Sequence, residues 1–401
     1  MWNKGSSIAI WGSGFRGRKL YYQIRYKYNV VCFIDQNHQG EKLDGIPIIH
    51  PEKIKDIDLR IIIAIEKYRD ICMQCKKWGM KFYERYMTYD MLNMTALNLV
   101  FIGELVGIEN LEIICNKLIG KKKTALIIGN CQTAGIKKIM CSSPTFMEEY
   151  IVIDVPMIHL ITESEKEILE KCKFVFNNLS LLITQIISEN NSFFDFFCTE
   201  NIKKIIGDNT KLVLIPTLYF DIYFPQTIHQ SVVISELEEV GILTFPYGDC
   251  IINELSEKYT VKDIVEIIKS DNFFTAQFLK IFFDYRIETL KERENKCDIH
   301  ILDYILENYK KKLLFYSKNH PNAEVLIELT KRLMLYLGYQ DINCENMVLE
   351  GFDKWQELIY PSVSKALSLE FIKTNYLDDL FDKPCTFEEY VESYCSCMKD
   401  K

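Results

Sequence analysis

Residues 124–132 read Thr-Ala-Leu-Ile-Ile-Gly-Asn-Cys-Gln. The apolar run Ala125–Ile128 leads into a Gly-Asn turn, and Thr133–Met140 continue in a helix-forming pattern. An unbroken apolar run suits a parallel strand covered on both faces. The stretch therefore predicts strand, tight turn and helix, the repeating unit of an α/β fold. It places Cys131 at the carboxyl end of a strand and at a helix N-terminus. Open α/β sheets hold their ligands at that edge. Helix N-termini favour a thiolate. The backbone N–H groups of Cys131 and Gln132 are also placed to hold a developing oxyanion.

The pattern repeats on either side. Downstream, YIVIDVP (150–156), FVFNN (174–178) and KLVLIP (211–216) read as strands, and ESEKEILEKC (163–172) as a helix. Residues 251–295 are rich in helix formers, KLLFYSKNH (312–320) reads as a late strand, and AEVLIELTKRLMLYLG (323–338) as an amphipathic helix. Upstream, SIAIWGSGFRG (7–17) is a strand and a Gly-rich turn, with a helix-like stretch from Arg18. Strands follow at Val30–Ile34 and Arg60–Ile65. This alternation predicts two Rossmann-like or flavodoxin-like three-layer α/β domains with parallel sheets. Their expected extents are 1–97 and 121–340, joined by a linker over 98–120 and followed by a helical, acidic C-terminal extension over 341–401.

Composition narrows the function classes. A chain of 401 residues is long for one domain, and 23 Tyr with 24 Phe supply two cores. A formal net charge of −8 speaks against a nucleic-acid partner, which needs a basic face. The 14 Cys follow no disulfide framework and read as reduced, buried side chains of a cytoplasmic protein. No secretory leader pattern and no transmembrane run are expected. Cys72-x-x-Cys75 has no second pair at zinc spacing, so no metal site is expected. Cys395-Ser396-Cys397 receives the same structural reading.

Gly12-Ser13-Gly14-Phe15-Arg16-Gly17 fits G-x-G-x-x-G between a strand and a helix. Gly12 permits the tight turn, Gly14 lets a phosphate approach the backbone, and Gly17 lets helix and strand pack closely. Asp35, at the end of the next strand, sits where an acid meets a ribose hydroxyl. Phe33-Ile34-Asp35-Gln36-Asn37 and Gly45-Ile46-Pro47-Ile48 follow. This stretch resembles the N-terminal domain of sugar acetyltransferases that hold a nucleotide-sugar. The resemblance implies a nucleotide or nucleotide-sugar ligand for the first domain. A vacant scaffold used in assembly stays open as the alternative.

A nucleophilic Cys needs a base within hydrogen-bond reach. Of six His, His320 in Lys318-Asn319-His320-Pro321 follows the late strand. Two carboxyl-edge loops of one sheet would face each other across a cleft. His159 follows a strand and is the rival; His38, His50, His229 and His300 sit less well. Asp249 is a conceivable orienter of the imidazole.

Three motifs occur in order: GNCQ (129–132), Ile215-Pro216-Thr217-Leu218-Tyr219-Phe220 to Pro225, and Leu314-Phe315 to Asn319-His320-Pro321. Over roughly residues 122–340 the chain resembles WcbI-type polysaccharide-biosynthesis enzymes, regarded as acetyltransferases that bind coenzyme A. The layout also resembles SGNH esterases and acyltransferases, with Cys in place of Ser and a late His. The resemblance implies Cys131 and His320 as the catalytic pair, with Asn130 and Gln132 beside them. It implies coenzyme A or acetyl-CoA held near Gly129, Asn178, Asn319 and Arg293. Lys137 and Lys138, on the helix after Cys131, read first as exposed helix lysines, with a contact to the phosphates of coenzyme A as the alternative. The family often carries Gln after the third strand, where this sequence shows Asn177-Asn178. The expected function is transfer of an acetyl or other acyl group to a sugar hydroxyl in capsular or surface polysaccharide biosynthesis. The partners are a small-molecule acyl donor and a sugar or polysaccharide precursor, and a homo-oligomer is left open. An SGNH-like carbohydrate esterase and a non-catalytic nucleotide-sugar or assembly module are the rival readings. NAD-dependent redox chemistry lacks any second signature.

Overall fold

Every residue of Thr124–Ile128, Leu181–Gln185 and Ile61–Ile63 is buried, and each run is part of a strand. Only a strand covered on both faces needs such unbroken apolar character. The computed structural model describes residues 2–65, 68–89, 96–158, 160–188, 195–228, 247–345, 347, 349, 353, 356–371, 373, 376–378 and 383–399. The chain forms two compact units: Met1–Ile128, Met147–Leu182 and Ser188–Leu212 make the first; Gly129–Phe146, Ile183–Ile187 and Val213–Lys401 make the second. The units interleave along the chain, where the sequence suggests consecutive blocks.

The first unit begins with β1 (Ser7–Trp11), β2 (Asn29–Ile34), β3 (Lys42–Leu43), β4 (Ile46–Ile49), β5 (Arg60–Ile63) and β6 (Tyr86–Thr88). They form one sheet in the order β3-β4-β2-β1-β5-β6, parallel except for the β3–β4 hairpin. The Gly-rich turn joins β1 to the helix Phe15–Ile24. Gly12 has φ +112°, and a Cβ on Gly17 would lie 1.8 Å from Gly12 O. The turn and the close helix–strand approach thus need glycine at both places. At Gly14 a Cβ would meet nothing within 4 Å. Asp35 is committed to this turn: its Oδ2 accepts from Ser13 N at 3.1 Å and Ser13 Oγ at 2.6 Å. These bonds hold its carboxyl below the ordinary range despite partial burial.

A second sheet contains β7 (Ala96–Asn98), β8 (Lys123–Ile128), β9 (Tyr150–Asp154), β10 (Leu181–Gln185) and β11 (Lys211–Ile215), in the order β11-β10-β8-β9-β7. β7 and β8 both pair parallel with β9. The sheet therefore draws a strand, β7, that straddles the expected boundary at residue 97, and the rest of the expected linker folds as helices Leu99–Val106 and Ile108–Ile119. β10 and β11 pass into the second unit at their carboxyl ends.

Two expected strands are corrected. Residues 174–178 are not a strand: Lys173–Asn177 is a short helix with Val175 and Phe176 buried. A short apolar run is compatible with either element, and periodicity cannot separate them. The third strand of the second α/β series is instead β10. The late segment is not a strand of the parallel sheet either: Phe315–Ser317 pairs antiparallel with His320–Pro321 in a separate hairpin. Asn322 caps the next helix, Ala323–Leu337, by accepting from Val325 N at 3.1 Å. The C-terminal extension holds helices Pro361–Leu367 and Phe387–Lys399, and between them an antiparallel hairpin of Tyr376–Asp378 with Lys383–Cys385.

Candidate active site

The site grows from the turn after β8. A Cβ on Gly129 would sit 2.4 Å from Gln185 Oε1, so the backbone passes directly against that amide. Asn130 N donates to Gln185 Oε1 at 2.9 Å, and Asn130 Oδ1 accepts from Gln132 N at 3.0 Å. Thr133 N and Oγ1 both donate to Asn130 O. These bonds fix the turn and start the helix Gln132–Met140, with Cys131 as its N-cap residue. Asn130 thereby serves the turn, satisfying an N–H that the helix start leaves without an intrahelical partner.

Gln132 is fully buried. Its Nε2 donates to Leu218 O and Asn319 O, each at 2.7 Å. Its Oε1 accepts from Leu218 N and Gln185 Nε2, each at 2.9 Å. Both donors and both lone pairs of the amide are therefore used. Gln132 ties the GNCQ turn to the 215–225 segment and to Asn319. One amide joins the three sequence motifs, and this is how residues far apart in the chain reach one place.

That clamp sets His320 beside Cys131, with Nε2 3.7 Å from Sγ. His320 Nδ1 lies 2.7 Å from Ser317 Oγ, and Ser317 is fully buried. Sharing the thiol proton with Nε2 requires Nδ1 to carry the ring proton, which Ser317 Oγ then accepts. Beside them, the Tyr247 hydroxyl donates to Asn319 Oδ1. The Lys318 ammonium lies over the Tyr247 ring, 4.0 Å from its centroid.

The electrostatics differ from the expectation of an acidic thiol. Burial pushes the Cys131 thiol up, and the N–H groups of Cys131 and Gln132 only partly oppose it. Gln132 N, one of the two expected oxyanion donors, is engaged by Asn130 Oδ1. The imidazole lies 3.7 Å from this thiol, within reach of its proton.

Other residues singled out in the sequence fall elsewhere. Asn178 is exposed and donates to Phe174 O at 2.6 Å. Gln185, not Asn177-Asn178, ends the third strand, and its Oε1 meets the GNCQ turn at Asn130 N. Arg293 is exposed, with its guanidinium over the Tyr219 ring at 5.8 Å. Arg286 pairs with both oxygens of Asp221, at 2.7 and 2.6 Å. Asp249 caps the helix Cys250–Ser256 and accepts from the Tyr360 hydroxyl at 2.8 Å, so the His320 orienter is Ser317. His159 and His229 lie outside the described residues. His300 Nε2 meets Cys297 O, and His50 caps a short helix. Among the described residues no group of three or more His, Cys, Asp or Glu is placed to hold a metal ion, and no helix is long and apolar enough to cross a membrane. Ser317 and Tyr247 carried no sequence signal. Gln185 did, as the last residue of LLITQ.

Known proteins resemble this chain in sequence and fold. Residues 124–341 match the family model described as polysaccharide biosynthesis enzyme WcbI. Residues 4–84 match the model described as C2185-like, N-terminal. A solved structure is described as "Structural insights into WcbI, a novel polysaccharide biosynthesis enzyme", in the native form without a disulfide bond between coenzyme A and one of its cysteines. It superposes with a TM-score of 0.59 at 18% identity, over 70% of this chain and 91% of that one, a likeness of fold. No curated protein matches the chain.

Proposed function

The chain belongs to the WcbI family of polysaccharide biosynthesis enzymes, matched over more than half its length, and from that premise we propose that it transfers an acyl group, acetyl first among them, from coenzyme A to a sugar hydroxyl. The observation that carries the reading is the Cys131 Sγ–His320 Nε2 approach of 3.7 Å, with Ser317 on the far ring nitrogen. Cys131 Sγ attacks the thioester carbonyl while its proton passes to His320 Nε2. The C–S bond to coenzyme A breaks, and His320 returns the proton to the departing sulfur. The sugar hydroxyl then attacks the acyl-Cys carbonyl, His320 takes its proton, and the thiol is restored on release of the ester. Arg293, Lys137 and Lys138 are the cations proposed to meet the donor's phosphates. The related structure whose description mentions coenzyme A supports this donor class.

Acetyl-CoA is expected to bind the full-length chain in isothermal titration. Absence of heat up to millimolar ligand would sink the donor assignment.

We propose further that the first unit takes a nucleotide or nucleotide-sugar at Gly12, Gly14 and Gly17. Nothing lies within 4 Å of a Cβ at Gly14. Gly14→Val is therefore expected to leave the melting temperature of the free protein near wild type while removing any thermal shift that nucleotide-sugars produce. A wild-type protein with no shift across such a panel supports the vacant scaffold instead.

A further inference from the structure

Glu357 lies beyond residue 341, where the family match ends. It is 7% exposed, and its bonds converge on the hairpin that carries His320. Its Oε2 accepts from Lys318 N at 2.8 Å, and its own N donates to Tyr316 O at 2.9 Å. Side chain and backbone together run along Tyr316–Lys318 as a third strand would. The Thr227 hydroxyl donates to Oε1. On the other side of the hairpin, Phe220 N donates to Lys318 O at 2.7 Å, and Gln132 Nε2 holds Asn319 O. Consecutive peptide groups ahead of His320 are thus held in place.

The segment bearing Glu357 is itself anchored. Gln226 Nε2 donates to Leu358 O at 2.7 Å, Lys373 Nζ to Glu357 O at 3.2 Å, and the Tyr390 hydroxyl to Gln356 O at 2.8 Å. Burial pushes the Glu357 carboxyl up, opposed by the Thr227 hydroxyl, the Lys318 N–H and the Lys318 ammonium. Lys318, 3% exposed, is pushed down by the same burial. A buried charge pair is a poor source of stability, because desolvation offsets its attraction. What this carboxylate supplies is a fixed position for the peptide it grips.

We propose that Glu357 is a positioning residue for the Cys131–His320 pair: the C-terminal segment delivers a buried carboxylate that sets the 315–321 hairpin, and with it the imidazole, against the thiol. The proposal rests on the reading that this pair is reactive. It gives the C-terminal extension a part in the site.

The test is the rate of Cys131 alkylation by iodoacetamide in the full-length chain, read by peptide mass spectrometry at neutral pH, with the half-exposed Cys344 as internal reference. Glu357→Ala is expected to slow Cys131 by about ten-fold or more, toward the rate of His320→Ala, because sub-ångström misplacement is costly in such pairs. Glu357→Gln keeps an acceptor for Lys318 N and is expected to recover to within about three-fold of wild type. A purely structural role would lower the melting temperature of both variants without this split. Folded Glu357→Ala with the wild-type rate overturns the proposal. If that variant does not fold, Thr227→Val replaces it, and an unchanged Cys131 rate there overturns the proposal in turn. If His320→Ala itself alkylates like wild type, the reactive-pair reading falls first.

Discussion

His320→Ala is expected to lower the proposed acyl transfer by about a hundred-fold to ten-thousand-fold, the contribution of a positioned general base. Affinity for the acyl donor changes little, because the imidazole handles a proton rather than the nucleotide end. The fold survives. His320 is not a helix cap, since Asn322 caps the helix Ala323–Leu337. The stability at stake includes the buried bond to Ser317, on the order of 1–3 kcal/mol. Turnover and melting temperature measured on one variant separate the roles. Rate lost with a small shift supports the base; a large shift with turnover retained assigns His320 to the scaffold. His159→Ala is the control. If it loses turnover while His320→Ala keeps it, the base is elsewhere though the reaction class stands. Ser317→Ala should fall between wild type and His320→Ala, since it frees the ring without removing it.

Strands were legible wherever burial on both faces forces an unbroken apolar run. Thr124–Ile128 and Ile61–Ile63 show this. The Gly-rich turn was legible because Gly12 and Gly17 answer steric demands that no other residue meets. Phe174–Asn178 was misread because a run of three apolar residues suits a buried helix turn as well as a strand. That one error displaced the third strand and hid Gln185, which ends it. His320 was paired with Cys131 on a wrong premise, though the two side chains do lie 3.7 Å apart. It stands in an antiparallel hairpin, not on a carboxyl edge, and reaches Cys131 through Gln132 holding Asn319 O. Bonds such as Ser317 to His320, or Glu357 to Lys318, depend on where distant segments settle. No local pattern encodes them.

Cys131→Ala carries the larger expected loss. With an acyl-Cys intermediate, removing Sγ removes the route itself, and turnover falls by about 10⁴-fold or more, as for other nucleophile deletions. Wild-type protein quenched with acid during turnover then shows one acyl group on the peptide containing Cys131, and the variant shows none. Direct attack of the sugar hydroxyl on the donor predicts otherwise: a modest loss in Cys131→Ala and no acylated peptide in wild type. The pH dependence follows from burial. Because burial pushes the thiol up, Cys131 keeps its proton at neutral pH and gains thiolate only as the solution becomes alkaline. In the proposed reaction His320 Nε2, 3.7 Å away, is the acceptor of that proton at neutrality. The gap between wild type and His320→Ala in Cys131 alkylation should therefore be widest near neutral pH and close as pH rises toward the thiol's own ionisation. A gap that is constant with pH would mean that His320 shapes the cleft without taking the proton. A thiol already ionised at neutral pH in His320→Ala would place the helix N-terminus, rather than the imidazole, in charge of Cys131.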